Sequence, residues 1–465
     1  MSNACQQLVG LVFGIILGRL LDRSDYGMIA MIAIFALIAT ELQNGGFRAG
    51  LINLKQPKHE DFNSVFWFNV VVSLVLYAIL FFLAPLIADY YHQPVLTWLS
   101  RYVFLGFIFA GLGVAQSAWL SKNLQFKQLA QSGMIAVVIS SITGAIMAWQ
   151  DFGYWALATQ NILFIATNTM MLWYFSSWRP TFHWDMRPVK RIFPFSVKVM
   201  LTAIFSDINS NVMNIVLGRH YSAQDTGDYN QAYQWSSKAS FLIQGMIKHV
   251  DLPVLSGLQE ESERQLRVLR KLMRFTAFFS FPLLFGLALV SHEFIVLTIG
   301  EKWIMSASLL PLLCISGAFV PISTLLADTM MARGRSDVYL WCTVVLGVLQ
   351  IVLMATLWPL GIRAMVIAFV ILNILWVGVW FFFVARQTGY HILAFLKDTM
   401  PFALAAAGVM VMVYFFTRLI TPLWFLIVSR VLLAVVLYYI VMRLARVKIL
   451  EDCQRFFLSK LKLIQ

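Results

Sequence analysis

Charged side chains are scarce in this sequence. Only 12% of the 465 residues are charged and 60% are apolar, whereas about 25% are charged in an average soluble domain. A helix that crosses a bilayer needs about 20 apolar residues, and the apolar runs predict about fourteen such spans. The remaining residues leave about 12 for each loop or tail. Loops this short exclude a large soluble catalytic domain, and they disfavour membrane enzymes that carry a long external loop.

Paired metal ligands and clustered cysteines are also missing. The four cysteines contain no C-x-x-C pair, and the seven histidines contain no H-x-x-x-H pair. The sequence therefore predicts neither a disulfide framework nor a metal site. It also contains no nucleophile elbow and no Walker loop. We expect a protein that is not an enzyme and that carries no cofactor.

Lysine and arginine are distributed unevenly among the predicted spans and loops. The spans are 4–21, 28–48, 64–88, 101–120, 130–149, 153–175, 194–217, 229–250, 273–299, 305–331, 338–358, 364–385, 400–420 and 424–442. If the N-terminus is cytoplasmic and residues in the terminal turns of a span, except Lys248, are counted with the adjoining loop, 24 of the 35 basic residues fall inside and 7 fall outside. The other four, Lys198, Lys238, Lys248 and Arg430, are counted within spans. Cytoplasmic loops of membrane proteins are enriched in lysine and arginine. This bias predicts that both termini are cytoplasmic, and it explains the net charge of +13 without a nucleic-acid partner.

The first predicted span differs from the others at its start. It begins Asn3-Ala4-Cys5-Gln6-Gln7, which is polar for a span, and no basic residue precedes it. We expect that some N-terminal residues of the natural protein precede Met1.

An internal repeat links the two halves of the chain at an offset of 200 residues. Leu17-Gly18-Arg19 recurs as Leu217-Gly218-Arg219, and Asp25 and Gly27 recur as Asp225 and Gly227. The copies are six spans apart, so both halves have the same orientation. Parallel repeats of this kind occur in alternating-access transporters, whose substrate site lies between the halves. The alternative is an old duplication that is retained for packing alone.

Several motifs then resemble the polysaccharide transporter family of the multidrug/oligosaccharidyl-lipid/polysaccharide exporter superfamily, which contains Wzx-like flippases for lipid-linked oligosaccharides. They are Leu17-Gly18-Arg19, Gly46-Phe47-Arg48, Gly227-Asp228-Tyr229, Gly300-Glu301-Lys302-Trp303 and Arg333-Gly334-Arg335. The resemblance implies an all-α membrane protein with two pseudo-symmetric six-helix lobes around a central cavity. The lobes would be 1–193 and 194–390, followed by two helices and a tail in 391–465.

Ionisable and amide side chains within the predicted spans are the candidates for a binding site, because such groups are costly in a membrane. A pyrophosphate requires lysine or arginine, and a sugar requires amides. The candidates for substrate binding are Lys238, Arg48, Lys198, Lys248 and Asn211. Asp207 and Glu41 are candidates for coupling to H⁺ or Na⁺. The cations could instead be snorkelling interface residues, and Asp207 could simply neutralise Lys238.

The function that the resemblance implies is export of undecaprenyl-pyrophosphate-linked oligosaccharide, for O-antigen or exopolysaccharide, across the bacterial inner membrane. The expected partners are this lipid-linked glycan, membrane lipids, a coupling cation and the polysaccharide polymerase machinery. Two functions within the same superfamily remain open, namely a multidrug or small-molecule exporter and a flippase for the peptidoglycan precursor.

Overall fold

The computed structural model is helical throughout its described part, which comprises residues 2–44, 46–54, 56–182, 185–247, 251–259, 261–447 and 449–451. These residues form nineteen α-helices and two short 3-10 helices, and no strand occurs among them. This confirms the predicted all-α class. The chain divides into an N-terminal unit, Met1–Asn230, and a C-terminal unit, Gln231–Gln465.

Eleven helices begin in the N-terminal unit. They are α1 (Ser2–Leu20), α2 (Arg23–Asn44), α3 (Phe47–Asn53), α4 (His59–Tyr90), α5 (Leu96–Phe104), α6 (Gly106–Gly111), α7 (Val114–Lys122), α8 (Phe126–Trp149), α9 (Tyr154–Phe175), α10 (Arg187–His220) and α11 (Ala223–Ile247). Helix α8 packs against α9 and α1, while α4 packs against α5 and α6. Helix α10, the seventh predicted span, packs against α2, α3 and α4.

The C-terminal unit contains the rest of α11 and eight further helices. They are α12 (Asp251–Gly257), α13 (Ser262–Leu289), α14 (Ser291–Ile299), α15 (Ile304–Ala332), α16 (Ser336–Leu357), α17 (Ile362–Thr388), α18 (Ile392–Thr417) and α19 (Leu423–Leu444). Helix α15 is central, because α13, α14 and α17 all pack against it. Buried Leu313, Leu326 and Trp303 anchor it in the core.

Ten helices of the described residues are long and apolar enough to cross a membrane, or eleven if the bent pair Leu96–Gly111 and Val114–Lys122 is one span. The predicted count of fourteen is therefore not confirmed. The three predicted spans without a match correspond to α1, α9 and α11. The apolar part of α1 is Gln6–Leu20, which is shorter than the ten candidate spans. Helices α9 and α11 are long enough but rich in amides and hydroxyls.

The repeated segments meet at two glycines inside the N-terminal unit. A Cβ atom on Gly27 would lie 1.7 Å from the carbonyl oxygen of Ala223, and one on Gly227 would lie 1.9 Å from that of Arg23. The starts of α2 and α11 thus cross backbone against backbone, which only glycine permits. Both copies also carry the same turn, in which the carboxylate of Asp25 or Asp225 accepts a hydrogen bond from the backbone N–H three residues earlier.

Candidate functional site

A row of polar side chains follows one face of α10. Asp207, Asn211 and Asn214 lie four and three residues apart and therefore on the same side of the helix. Asn211 Nδ2 donates to the carbonyl oxygen of Asp207 at 3.0 Å, and Asn214 Nδ2 donates to Asn211 Oδ1 at 3.3 Å. Asp207 and Asn211 are half-buried and Asn214 is buried. The row presents a carboxylate and two amides along one side of α10.

Glu41 brings a second carboxylate to this row. It is half-buried on α2, which packs against α10. Within the described part of the N-terminal unit, neither carboxylate forms an ion pair. Two like charges in such a setting are relieved by a bound proton or a monovalent cation. Three of the predicted site residues thus lie on two helices that pack together, Glu41 on α2 and Asp207 and Asn211 on α10.

Arg48 lies on the short helix α3. The chain turns at Gly46, whose φ of 67° is in the left-handed region that suits glycine. Helix α3 then packs against α7 and α10. The guanidinium of Arg48 is exposed and donates to Ser121 Oγ at 3.4 Å. Because Ser121 is neutral, the charge of Arg48 is not compensated there.

Lys238 lies in the part of α11 that belongs to the C-terminal unit. Its ammonium group is 4.7 Å from the ring centroid of Trp235, a cation–π contact. Ser236 and Ser240 donate to the carbonyl oxygens of Leu313 and Gly317 on α15. Lys238 is two residues from each serine, so it lies on the opposite side of α11 from α15. In the described part of the C-terminal unit it forms no ion pair.

Two predicted cations remain without a described contact. Lys198 belongs to α10, but its side chain lies outside the described residues, and Lys248 is wholly outside them. No group of three or more metal-ligating side chains occurs in the part of the chain that was searched.

Two ion pairs involve basic residues whose partners were not evident from sequence. Asp398 on α18 accepts from Arg270 Nε at 2.7 Å and lies 3.6 Å from Arg274. Tyr390 also donates to this carboxylate at 2.8 Å, and burial together with this bond raises the pKa of the Tyr390 phenol.

The second ion pair joins Arg430 to Glu293 at 2.9 Å, and both side chains are 8% exposed. The charges of Arg270, Arg274 and Arg430 are therefore compensated by carboxylates of neighbouring helices.

The sequence-based prediction of site residues did not include two buried amides of the N-terminal unit. Gln43 and Gln116 are fully buried. Gln43 Nε2 donates to the carbonyl oxygen of Phe107 at 3.0 Å, which ties α2 to α6. Neither polar atom of the Gln116 side chain has a partner among the described residues. An amide within an apolar run is the signal that could have identified both.

Comparison with known proteins agrees with this architecture. A family model described as polysaccharide biosynthesis protein matches residues 16–308. The lipopolysaccharide biosynthesis protein WzxC of Escherichia coli K12 is 27% identical over 338 residues, which cover 71% of this chain and 68% of that protein. The teichuronic acid biosynthesis protein TuaB of Bacillus subtilis 168 is 25% identical over 338 residues, with 72% and 70% covered.

Solved structures show the same fold at low sequence identity. The lipid II flippase MurJ in an inward closed conformation has a TM-score of 0.74 at 15% identity, covering 95% of this chain and 98% of MurJ. An inward-facing multidrug resistance MATE family transporter of the MOP superfamily has a TM-score of 0.66 at 16% identity, covering 83% and 94%. These likenesses agree with the all-α membrane fold of this chain. Since the family model matches more than half of the residues, the chain is a member of the polysaccharide biosynthesis protein family.

Proposed function

We propose that this protein is an alternating-access flippase, which exports undecaprenyl-pyrophosphate-linked oligosaccharide units across the bacterial inner membrane. The observation that carries the proposal is the family match over residues 16–308. Relatives named for lipopolysaccharide and teichuronic acid biosynthesis support it, as does the fold of a lipid II flippase. On this proposal the protein moves the glycan without making or breaking a bond in it.

The substrate site that we propose uses the predicted cations and amides. Lys238, Arg48, Lys198 and Lys248 attract the pyrophosphate, and Asn211 donates to sugar hydroxyls. Two observations support these roles: neither Lys238 nor Arg48 is paired with a carboxylate in the described part of its own unit, and Asn211 belongs to a row of amides. The internal repeat further supports a division of the chain into two lobes, 1–193 and 194–390. Two additional helices and a tail then follow in 391–465.

Glu41 and Asp207 are the proposed coupling groups. A proton or Na⁺ bound between them removes their mutual repulsion, so transport can be coupled to entry of that cation. Neutralising either residue, as in Glu41→Gln or Asp207→Asn, is expected to remove the dependence of transport on the ion gradient. Unchanged dependence in both variants would exclude the pair. A contact with the polymerase that consumes the glycan on the far side also belongs to this proposal.

Complementation tests the function directly. The chain is expressed in a strain that lacks its own O-antigen flippase but carries the matching glycosyltransferases, and surface glycan is measured with membrane protein amount as the control. Restored surface glycan supports the proposal. Accumulation of lipid-linked glycan in the inner leaflet, despite normal amounts of the protein, would contradict it.

Two alternatives predict different results in the same strain. A multidrug exporter, which the MATE-like fold allows, raises resistance to cationic dyes and leaves surface glycan absent. A flippase for the peptidoglycan precursor rescues growth when the native precursor flippase is depleted. The positive charges of Lys238 and Arg48 favour an anionic substrate over a cationic drug.

A further inference from the structure

An apolar groove of about 500 Å³ runs between α2, α4 and α10 of the N-terminal unit. Its walls are formed by branched and aromatic side chains. They are Ile34, Phe35 and Ile38 of α2, Leu80, Leu83, Leu86, Ile87 and Tyr90 of α4, and Ile208 and Ile215 of α10. The groove is thus suited to a hydrocarbon chain that carries methyl branches.

A cation lies at one end of the groove. Arg219 follows Ile215 by one helical turn, and its guanidinium stacks over the ring of Tyr90 at 5.0 Å. It donates to the carbonyl oxygen of Tyr90 and lies 2.7 Å from Nε2 of His92. Within the described part of the N-terminal unit, no carboxylate pairs with it. A guanidinium has five N–H donors, so several remain for an anion.

The spacing of cation and groove matches the dimensions of a membrane lipid. Ile208 and Arg219 are eleven residues apart, which is about 16 Å along the axis of α10. Half the hydrocarbon thickness of a bilayer is about 15 Å. A lipid whose charged group meets Arg219 at the end of the helix therefore places its chain along the groove to mid-membrane depth.

The C-terminal unit contains an apolar groove that lacks this feature. It is about 480 Å³ and is lined by residues of α13 and α19, including Phe278, Pro282 and Val431, with Arg430 in its wall. Arg430 is neutralised by Glu293 at 2.9 Å and also donates to Thr417 Oγ1 and to the carbonyl oxygen of Leu289. Its charge is compensated, so this groove does not offer an anionic lipid the same attraction.

From these observations we infer that the groove between α2, α4 and α10 binds the polyprenyl chain of the lipid-linked substrate, with the pyrophosphate against Arg219. This inference rests on the proposed function, since it assumes a polyprenyl pyrophosphate substrate. It adds a lipid-binding subsite in the N-terminal unit whose residues are not among those proposed above to bind the substrate.

Photo-crosslinking tests the subsite in the full-length protein. The protein carries p-benzoylphenylalanine in place of Leu83, which lines the groove, or of Phe82, which is exposed at the same depth on another side of α4. It is reconstituted in vesicles of phosphatidylethanolamine and phosphatidylglycerol with a trace of tritiated undecaprenyl pyrophosphate. We expect labelling at position 83 to exceed labelling at position 82 several-fold. Unlabelled undecaprenyl pyrophosphate should suppress it, whereas an equal excess of phosphatidylglycerol should not.

Arg219 provides the second part of the test. Arg219→Gln is expected to weaken labelling at position 83 about tenfold, the loss that follows from removing hydrogen bonds to a charged group. Arg219→Lys should retain most of the labelling at position 83. Equal labelling at positions 82 and 83, or equal competition by phosphatidylglycerol, would show an ordinary lipid-facing surface and overturn the inference. If Arg219→Gln fails to fold, the comparison of positions 82 and 83 decides alone.

Failure of the subsite and failure of the proposed function are distinguishable. Export by the unmodified chain in the flippase-deficient strain, without selective labelling at position 83, overturns the subsite and leaves the function standing. Absence of export, with the protein present in normal amounts, overturns the function itself.

Discussion

The guanidinium of Arg23 pairs with the carboxylate of Asp228 at 3.0 Å, and the Asp228 side chain is 1% exposed while that of Arg23 is 33% exposed. Arg23 is the first residue of α2 and Asp228 lies in the second turn of α11, and these helices carry the repeated Asp-x-Gly segments. A contact across 205 residues of sequence thus joins the two copies at their glycine crossing, within the N-terminal unit.

Removing this ion pair should destabilise the protein. Arg23→Gln leaves a buried carboxylate with one partner fewer, at a cost of about 1–3 kcal/mol. We expect a lower Tm for the detergent-solubilised protein. Arg23→Lys retains the positive charge, so its Tm should fall between the Tm of Arg23→Gln and that of the wild type. A Tm of Arg23→Gln equal to that of wild type would show that the pair contributes nothing measurable.

The glycine crossing makes a second prediction with a matched control on the same helix. Gly227→Ala places a methyl group against the carbonyl oxygen of Arg23 and should cost about 1–3 kcal/mol. Gly245→Ala meets nothing within 4 Å, and alanine is the better helix former, so stability should be unchanged or slightly higher. Thermal unfolding of the two variants side by side measures the difference. Equal destabilisation by both substitutions would refute the close crossing.

Lys238 is predicted to act on the substrate. Lys238→Ala should reduce glycan export while the amount of protein in the membrane stays near that of wild type. Lys238→Arg should keep much of the activity, because a positive charge at that position is retained. Surface glycan and immunoblots of the membrane fraction provide the two readouts. If Lys238→Ala protein is abundant and exports normally, the residue does not belong to the site.

The Arg430–Glu293 pair is predicted to be structural. Glu293→Gln leaves a buried guanidinium without its counter-ion, and the loss from breaking a buried pair is about 3–5 kcal/mol. Replacing both partners, as in Arg430→Met with Glu293→Leu, should recover much of the stability because no uncompensated charge remains. Thermal unfolding of the single and double variants checks this. A double variant that is no more stable than Glu293→Gln would contradict the argument.

Orientation is predicted from the charge bias. The loop between α9 and α10 should be cytoplasmic, and Phe182 in that loop is 99% exposed. A cysteine in place of Phe182, in a background without the four native cysteines, should react with an impermeant maleimide only after the membrane is permeabilised. Reaction in intact cells would show that this loop lies outside, and it would reverse the side of the membrane predicted for every loop and both termini.

Much of the architecture was predictable from local sequence. Apolar runs predicted the helices because a lipid-facing helix must cover its own backbone with apolar side chains. The prediction was least successful at α9 and α11, where amides and hydroxyls lower the hydropathy below that of a simple span. The repeat was also visible in sequence, because Gly27 and Gly227 have no substitute at a crossing where backbones touch.

The availability of each cation was decided by tertiary structure alone. Arg270 and Arg430 look like Lys238 and Arg219 in sequence, since each is a basic residue in or beside an apolar run. Folding brings Asp398 to Arg270 across 128 residues of sequence and Glu293 to Arg430 across 137. In contrast, Lys238 has no carboxylate partner in the described part of the C-terminal unit, and Arg219 has none in the described part of the N-terminal unit. Sequence determined that this is an all-helical membrane protein with two related halves, because hydropathy and glycine act locally. Which charges remain available to an anionic lipid depends on contacts between distant helices, and only the folded chain specifies them.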